Sequence, residues 1–255
     1  MKNAFWNCVL GIVLLAAVSA ISLHAGDLVQ ETGGNVFTWR REAATASRSF
    51  GQGQEGDLSD RPLIILDAGH GGFDPGKVGV DGQLEKDINL KIVQKLKRYL
   101  ELNDVQVILT RDKDEGLYDA SDSNKKSADM RRRVQIINEA KPDVMVSIHQ
   151  NSYHQPEISG AQVFYYQHSE EGREFAQLMQ KRFDYCLGEG NRRQAKANGS
   201  YYLLSHSKPV SLIVEAGFLS NPEEARRLET DEYQDKIAWT VAMGILQYIN
   251  KKGMG

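Results

Sequence analysis

The chain has 255 residues, of which 41% are hydrophobic and 25% are charged, a composition typical of one globular domain with a single hydrophobic core and a leader. Its formal net charge of −3 at pH 7 gives no basis for nucleic acid as a partner. The two cysteines, Cys8 and Cys186, are too few for a disulfide-rich scaffold.

The first 26 residues have the pattern of a targeting segment. Lys2 supplies a positive charge, and the run from Phe5 to Leu23 is almost wholly apolar. This run is long enough to cross a bilayer as a helix, and the small residues near its end are typical of signal-peptide cleavage sites. We therefore expect residues 1–26 to be either a cleaved signal peptide or an uncleaved membrane anchor. Both alternatives place the rest of the chain outside the cytoplasm.

Residues 27–60 are polar and rich in Gly, Ser, Glu and Gln. Such a segment cannot bury enough apolar surface to fold alone, so it is expected to be a flexible linker. The folded domain is expected to begin near Pro62 and to cover residues 61–251.

A short buried strand is predicted at Leu63–Leu66, where four apolar residues follow one another. A glycine-rich loop comes next, with His70 near its start and Glu85 at its far end, just before an amphipathic helix pattern. Such a loop lets the backbone turn sharply and approach a bound group closely. It lacks both common phosphate-binding glycine patterns, which disfavours a nucleotide site. The His and the Glu could bind one metal ion, although a lone histidine near a strand end is more often a hydrogen-bonded structural residue than a ligand.

The next segments continue the alternation of strands and helices. A strand is predicted at Val105–Thr110, followed by a charged loop at 112–126 whose acidic residues either bind a cation or are solvated. A helix then ends before Pro142, because proline cannot continue it. Three consecutive arginines lie on this helix and cannot all point the same way: Arg131, Arg132 and Arg133.

His149 directly follows a second apolar strand at Val144–Ile148. Neighbouring parallel strands bring their carboxyl ends to one edge of a sheet, where open α/β sheets bind ligands. His70 and His149 are therefore expected to lie side by side, with Glu85 reaching in from the loop. Two His and one Glu with an open fourth position form a known catalytic zinc set. Other histidines that could replace one of these ligands do not follow a buried strand: His154, His168 and His206.

Glu215 follows a further apolar strand at Leu212–Val214, so it is placed at the same edge of the sheet. A carboxylate that is not a ligand there suits a general base and then a general acid. Glu215 could instead cap the next helix or be a metal ligand itself. The sequence Asn221-Pro222 is the more typical helix start.

The remaining elements complete the predicted fold. A strand is expected at Ala161–Tyr166, a helix from Ser169 to Leu187, a loop at 188–202 and a last helix at 232–249. The loop carries basic and aromatic residues that could hold an acidic peptide or sugar faces, or could be solvated: Arg192, Arg193, Lys196, Tyr201 and Tyr202. The strand–helix alternation predicts an α/β fold, a single three-layer domain with a twisted, mainly parallel sheet and helices on both faces.

Four motifs occur in order: Asp67-Ala-Gly-His70-Gly-Gly, Leu84-Glu85-Lys86-Asp87, Ser147-Ile-His149-Gln-Asn151 and Val214-Glu215-Ala-Gly-Phe-Leu-Ser-Asn221. Together they resemble the zinc-dependent N-acetylmuramoyl-L-alanine amidases of the amidase 3 type, over about residues 62–250. The resemblance implies one Zn²⁺ per chain, held by His70, Glu85 and His149, with Glu215 as the catalytic acid and base. The implied reaction is hydrolysis of the amide between N-acetylmuramic acid and L-alanine in peptidoglycan.

The segments between the motifs resemble a narrower subgroup, the germination-specific amidases of the spore cortex. The similar segments are 124–138, 159–166 and 233–236. This resemblance implies cortex processing towards muramic δ-lactam, a place in the spore envelope, a membrane link through the N-terminal segment and an activating protein partner. Arg133 matches a family arginine, and we expect it to form an ion pair rather than to contact substrate.

Three alternatives stay open from the sequence. The chain could be a vegetative cell-wall amidase, or another zinc peptidase or deacylase on the same scaffold. It could also be a non-catalytic relative that binds the wall or a partner protein. The last alternative is disfavoured, because such a relative is expected to lack one of the four site residues.

Overall fold

The computed structural model of the chain describes residues 61–188 and 191–254. The predicted leader at 1–26 and the predicted linker at 27–60 lie outside the described residues, so both stay predictions. Among the helices that the structure describes, none has both the length and the hydropathy needed to cross a membrane.

The centre of the fold is a six-stranded sheet with the order β2-β1-β3-β6-β4-β5. Its strands are β1 (Leu63–Ala68), β2 (Gln106–Leu109), β3 (Val144–Asn151), β4 (Gln162–Tyr166), β5 (Lys196–Asn198) and β6 (Val210–Phe218). Strands β2, β1, β3 and β6 are parallel to one another, whereas β4 is antiparallel to β6 and parallel to β5. The prediction of a mainly parallel sheet is confirmed.

Helices cover both faces of this sheet. They are α1 (Glu85–Glu101), α2 (Lys125–Ala140), α3 (Glu170–Leu187), α4 (Tyr202–His206), α5 (Pro222–Glu229) and α6 (Asp231–Lys252). Because side chains alternate along a strand, Ile64 and Leu66 of β1 join the large core formed with α1, α3 and α6. Ile65 points the other way and packs with Ile137 of α2 and Leu203 of α4. The predicted three-layer arrangement is therefore confirmed.

Helix α5 begins at the cap that the sequence indicates. The Asn221 side chain accepts hydrogen bonds from the backbone N–H groups of Glu223 and Glu224, and Pro222 occupies the first turn. Glu215 is therefore not the cap of this helix, and its carboxylate stays available at the sheet edge.

The predicted loop at 188–202 is wrong in one respect, since it contains β5 and leads directly into α4 at Tyr202. Strand β5 is short and forms the edge of the sheet, where it pairs with β4. Lys196 and Ala197 are exposed there. A three-residue edge strand has no alternating apolar pattern, which is the signal that sequence analysis relies on.

Candidate metal and catalytic site

The four predicted site residues meet at the edge of the sheet formed by the ends of β1, β3 and β6. His70 lies just after β1, and Glu85 is the first residue of α1. His149 and Glu215 fall within β3 and β6 and occupy paired positions of the two strands. Both strands are longer than the apolar runs that predict them. His149 and Glu215 therefore lie on the regular backbone of the sheet rather than in a loop.

Two imidazoles and one carboxylate form a compact cluster. The ring centroids of His70 and His149 are 4.9 Å apart. Glu85 lies between them, with Oε2 3.2 Å from His70 Nε2 and Oε1 3.0 Å from His149 Nδ1. One ligand atom from each residue lies within 4.8 Å of the others, so the three could hold a metal ion.

The Glu85 carboxylate is buried, and its orientation is determined by the backbone around it. Oε2 accepts a hydrogen bond of 2.7 Å from the Lys77 N–H, and Oε1 accepts one of 3.0 Å from the Gln150 N–H. Burial alone would raise the pKa of Glu85, but hydrogen bonds with His149 and His70 hold it well below its usual range. Glu85 is therefore an ionised carboxylate, as a metal ligand must be.

His70 is held in an unusual backbone conformation. Its φ of +63° lies in the left-handed region, which costs a residue with a side chain about 1–2 kcal/mol. The Arg133 guanidinium donates a 2.6 Å hydrogen bond to the His70 carbonyl, and Asp74 Oδ2 lies 3.0 Å from His70 Nδ1. A carboxylate on one ring nitrogen is typical of metal-binding histidines, because it orients the other nitrogen toward the ion.

Two glycines let the cluster close. A Cβ on Gly69 would lie 2.2 Å from Cε1 of the His149 ring, so only glycine fits where the chain leaves β1 and passes that ring. Gly76 has a φ of +70°, and a Cβ there would lie 2.5 Å from Glu85 Oε2. The glycine-rich composition of the loop therefore follows from close approach of the backbone to the ligand side chains.

A buried ion pair supports the loop that carries His70. Arg133 donates a 2.6 Å hydrogen bond to Asp67, which also accepts hydrogen bonds from Ser147 and Thr110. Burial opposes ionisation of Asp67, but Arg133 and these hydroxyl groups hold the pKa of its carboxyl well below its usual range. The predicted ion pair of Arg133 is present.

Three side chains that support the site have no role predicted from the sequence: Asp67, Asp74 and Arg111. Arg111 donates to the carbonyl groups of Ala68 and Gly69, on the chain just before His70. The only sequence signal for Asp67 and Asp74 is their position in the glycine-rich motif, and Arg111 has no motif at all.

Glu215 lies beside the cluster without joining it. Its side chain is 7% exposed, and Oε2 has no hydrogen-bond partner among the described residues. Burial raises the pKa of Glu215 to about 7, and the negative charge of Glu85 adds to this effect against the opposing influence of His149. The Tyr201 hydroxyl interacts with the Glu215 carboxylate. Burial, together with the negative charge of Glu215, raises the pKa of Tyr201 to about 12.

The residues present fit a zinc ion. Two imidazoles and an ionised carboxylate form one of the donor sets that zinc takes in hydrolases. The buried Oε2 of Glu215 without a partner is the kind of polar atom that a catalytic role explains. The other histidines, His154, His168 and His206, contact neighbouring side chains and lie outside the cluster.

A cleft opens beside the cluster. Its lining includes Glu215 and two tyrosines of the segment 188–202: Tyr201, which directly precedes α4, and Tyr202, the first residue of α4. The basic residues of the same segment lie elsewhere, since Arg193 donates to the Ser159 carbonyl and stacks 4.8 Å above the Phe218 ring. Only the aromatic half of the predicted binding segment therefore faces the site.

Comparison with known proteins gives consistent matches. Residues 64–247 match the N-acetylmuramoyl-L-alanine amidase family. The germination-specific N-acetylmuramoyl-L-alanine amidase of Bacillus subtilis (strain 168) is 39% identical over 194 residues, which are 75% of this chain and 81% of that relative.

Solved structures agree with this assignment. The CwlD amidase from Clostridioides difficile, in complex with the GerS lipoprotein, shares 37% identity with a TM-score of 0.72, covering 74% of this chain and 99% of that one. The amidase AmiC2 of Nostoc punctiforme shares 34% identity with a TM-score of 0.65, covering 74% of this chain and 97% of that one. The chain therefore belongs to the N-acetylmuramoyl-L-alanine amidase family and is an amidase that acts on peptidoglycan.

Proposed function

We propose that this chain hydrolyses the amide between N-acetylmuramic acid and L-alanine with one Zn²⁺ held by His70, Glu85 and His149. The observation that carries the proposal is the cluster of these three side chains with the unpaired carboxylate of Glu215 beside it. When bound, zinc supplies a Lewis acid that polarises a carbonyl group and lowers the pKa of water to about 7.

Glu215 is the residue that moves the proton. Its pKa of about 7 lets the same carboxylate accept a proton from water and later return it to the leaving amine at neutral pH. Its unpaired Oε2 leaves one oxygen free for this transfer. Tyr201, next to it, orients the carboxylate through its hydroxyl group.

The biological setting that we propose is the spore cortex, with processing towards muramic δ-lactam for germination. Support comes from the germination-specific relative in Bacillus subtilis and from the CwlD amidase of Clostridioides difficile. The predicted leader at 1–26 would export the chain or anchor it in a membrane. Either outcome would place the domain outside the cytoplasm, where peptidoglycan is accessible. A vegetative cell-wall role is the alternative.

We further propose that a protein partner activates the chain. The CwlD amidase of Clostridioides difficile was solved in complex with the GerS lipoprotein, and a lipoprotein is itself held at a membrane surface. A partner of this kind and a leader at 1–26 would bring both proteins to the same surface.

The test is peptidoglycan digestion by the purified chain, with and without a lipoprotein partner of the GerS type, with the products identified by mass spectrometry and bound zinc measured in parallel. We expect release of intact stem peptides that begin with L-alanine. Glu215→Gln should keep zinc but lose activity by 10²-fold or more, on the order of the contribution of general acid–base catalysis. His149→Ala should lose both zinc and activity.

Cleavage within the stem, with the muramyl amide intact, would instead identify a peptidase. Digestion of spore cortex and of vegetative peptidoglycan in parallel separates the two proposed settings. A preference for vegetative material would count against the cortex role while leaving the amidase chemistry in place.

A further inference from the structure

The cleft beside the cluster has an apolar wall and an exposed positive charge. The wall includes Phe73, Met130, Tyr202, Leu203 and Ile213. Two lysine or arginine residues line the same cleft. Arg133 is buried in its ion pair, whereas the side chain of Lys126 is 67% exposed. A bound molecule would therefore meet apolar surface along its length and an accessible ammonium group at one point.

Lys126 stands where helix electrostatics disfavours a lysine. It is the second residue of α2, and the first turn of this helix contains Lys125 and Lys126 but no acidic residue. The N-terminus of a helix carries a partial positive charge and favours anions. A lysine there breaks a local rule, and such exceptions concentrate at functional sites. The helix end and the ammonium group thus lie together at the cleft, which Asp74 and Asp129 also line.

The contacts of Lys126 leave most of its hydrogen-bonding capacity unused. Within the described part of the chain, its ammonium group forms an ion pair with Asp74 Oδ2, at 3.4 Å. That oxygen already lies 3.0 Å from His70 Nδ1, and the other oxygen of Asp74 accepts from the Gly76 N–H. An ammonium group has three donors, so Lys126 can bind a second anion.

The position of Glu215 indicates which half of the substrate enters this cleft. Its unpaired Oε2 is buried, and the residue lines the same cleft as Lys126. In the proposed reaction Glu215 returns a proton to the leaving amine, so the amine must lie within hydrogen-bonding reach of this carboxylate. The peptide that carries the amine therefore extends along the apolar wall, and this step rests on the proposed function.

We propose that Lys126 determines substrate specificity by binding a carboxylate on the second residue of the leaving peptide. The first residue lies against the reacting atoms, so the second is the nearest one that can reach the exposed ammonium group. The preferred substrate is then a muramyl peptide whose second residue carries free carboxylates. The same peptide with these groups amidated is a poorer substrate.

The experiment compares N-acetylmuramoyl-L-alanyl-D-glutamate with its diamide, which has nearly the same shape but no negative charge on the second residue. Cleavage of both is measured for the full chain with added zinc, together with bound zinc. The wild-type chain should prefer the acid by about tenfold in kcat/KM, the effect of one charge-assisted hydrogen bond in a cleft. Lys126→Gln should bring the ratio of acid to diamide close to one, mainly by raising KM for the acid.

Lys125→Gln is the matched control, because Lys125 lies over the Tyr118 ring at 5.3 Å and outside the residues that line the cleft. This variant should keep the wild-type ratio.

A ratio that stays near tenfold in Lys126→Gln would overturn the proposal, as would an equal loss on both substrates accompanied by loss of zinc. Wild-type cleavage without preference for the acid counts against this inference alone. A chain that digests peptidoglycan but cleaves neither small substrate overturns this inference alone. A zinc-loaded chain that cleaves neither these substrates nor peptidoglycan, with or without a lipoprotein partner, overturns the proposed function as well.

Discussion

At the scale of single residues, the site depends on how His70 is held. Its backbone is in the left-handed region, its carbonyl accepts from Arg133, and its Nδ1 lies 3.0 Å from Asp74. The unfavourable backbone conformation is offset by these contacts, and the ring is directed so that Nε2 faces Glu85. Asp74 is therefore the residue through which the loop orients a proposed ligand.

Asp74→Asn tests this orientation. An amide is a weaker acceptor than a carboxylate and does not fix the protonated nitrogen of His70, so zinc affinity should fall about 10–100-fold. The measurement is competition with a chelator of known affinity, read as bound zinc rather than as activity. Asp112→Asn is the control, because Asp112 is an exposed acid in the loop after β2 and is not among the residues that line the cleft. Equal affinities in the wild-type chain and in Asp74→Asn would show that His70 needs no such support.

At the scale of secondary-structure elements, the buried pair of Asp67 and Arg133 joins β1 to α2. Both side chains are almost fully buried, and the N–O distance is 2.6 Å. Arg133 also has a second acidic partner, because Asp129 Oδ2 lies 2.6 Å from its Nε, so loss of Asp67 removes one charged hydrogen bond without leaving the guanidinium unpaired. The pair therefore holds α2, which also carries Lys126, against the strand that leads to His70.

Asp67→Asn should lower the free energy of unfolding at pH 7 by about 1.5–3 kcal/mol, the effect of losing a hydrogen bond between charged groups. The pKa of Asp67 is below its usual range in the folded chain and about 3.9 in the unfolded chain, so its stabilising effect is fully present above about pH 4. As the pH falls below 4, the unfolded chain takes up a proton that the folded chain does not. The stability difference between wild type and variant should therefore shrink. Urea unfolding at pH 7, 5 and 3 measures this, and a difference that does not change with pH would contradict it.

Elements with a strong apolar pattern are the ones that sequence analysis predicts well. Strands β1, β3 and β6 are buried along most of their length, and α3 begins one residue after Ser169, the predicted start of this helix, whose side chain caps it. Strand β5 and helix α4 are short, so neither has enough turns or alternations to give a period. The local sequence pattern is thus sufficient to predict the strands and helices of the core, and insufficient to predict those at the edge of the sheet.

The residues of the candidate site also divide into those that a local sequence pattern predicts and those that it does not. Residues that follow apolar strands, such as His149 and Glu215, are predictable because parallel strands end at one edge. Asp74 and Arg111 act through contacts that exist only after the chain has folded, namely with His70 and with the carbonyls of Ala68 and Gly69. Such contacts depend on tertiary geometry and leave no spacing rule in the sequence.

At the scale of the whole molecule, one domain carries the sheet, the cluster and the cleft. The family match at 64–247 spans all of them. The proposed spore setting, the partner and the export depend on relatives and on the predicted leader rather than on the geometry of this domain. Zinc binding by the cluster can therefore be tested on the purified chain, independently of the setting.

The central claim is that His70, Glu85 and His149 hold a single zinc ion with Glu215 left unligated. The most direct measurement is anomalous diffraction at the zinc absorption edge from crystals of the chain loaded with zinc. We predict one peak per chain, about 2.0–2.2 Å from a nitrogen of each histidine and an oxygen of Glu85. A peak elsewhere, or one with the Glu215 carboxylate in its coordination shell, would contradict the account.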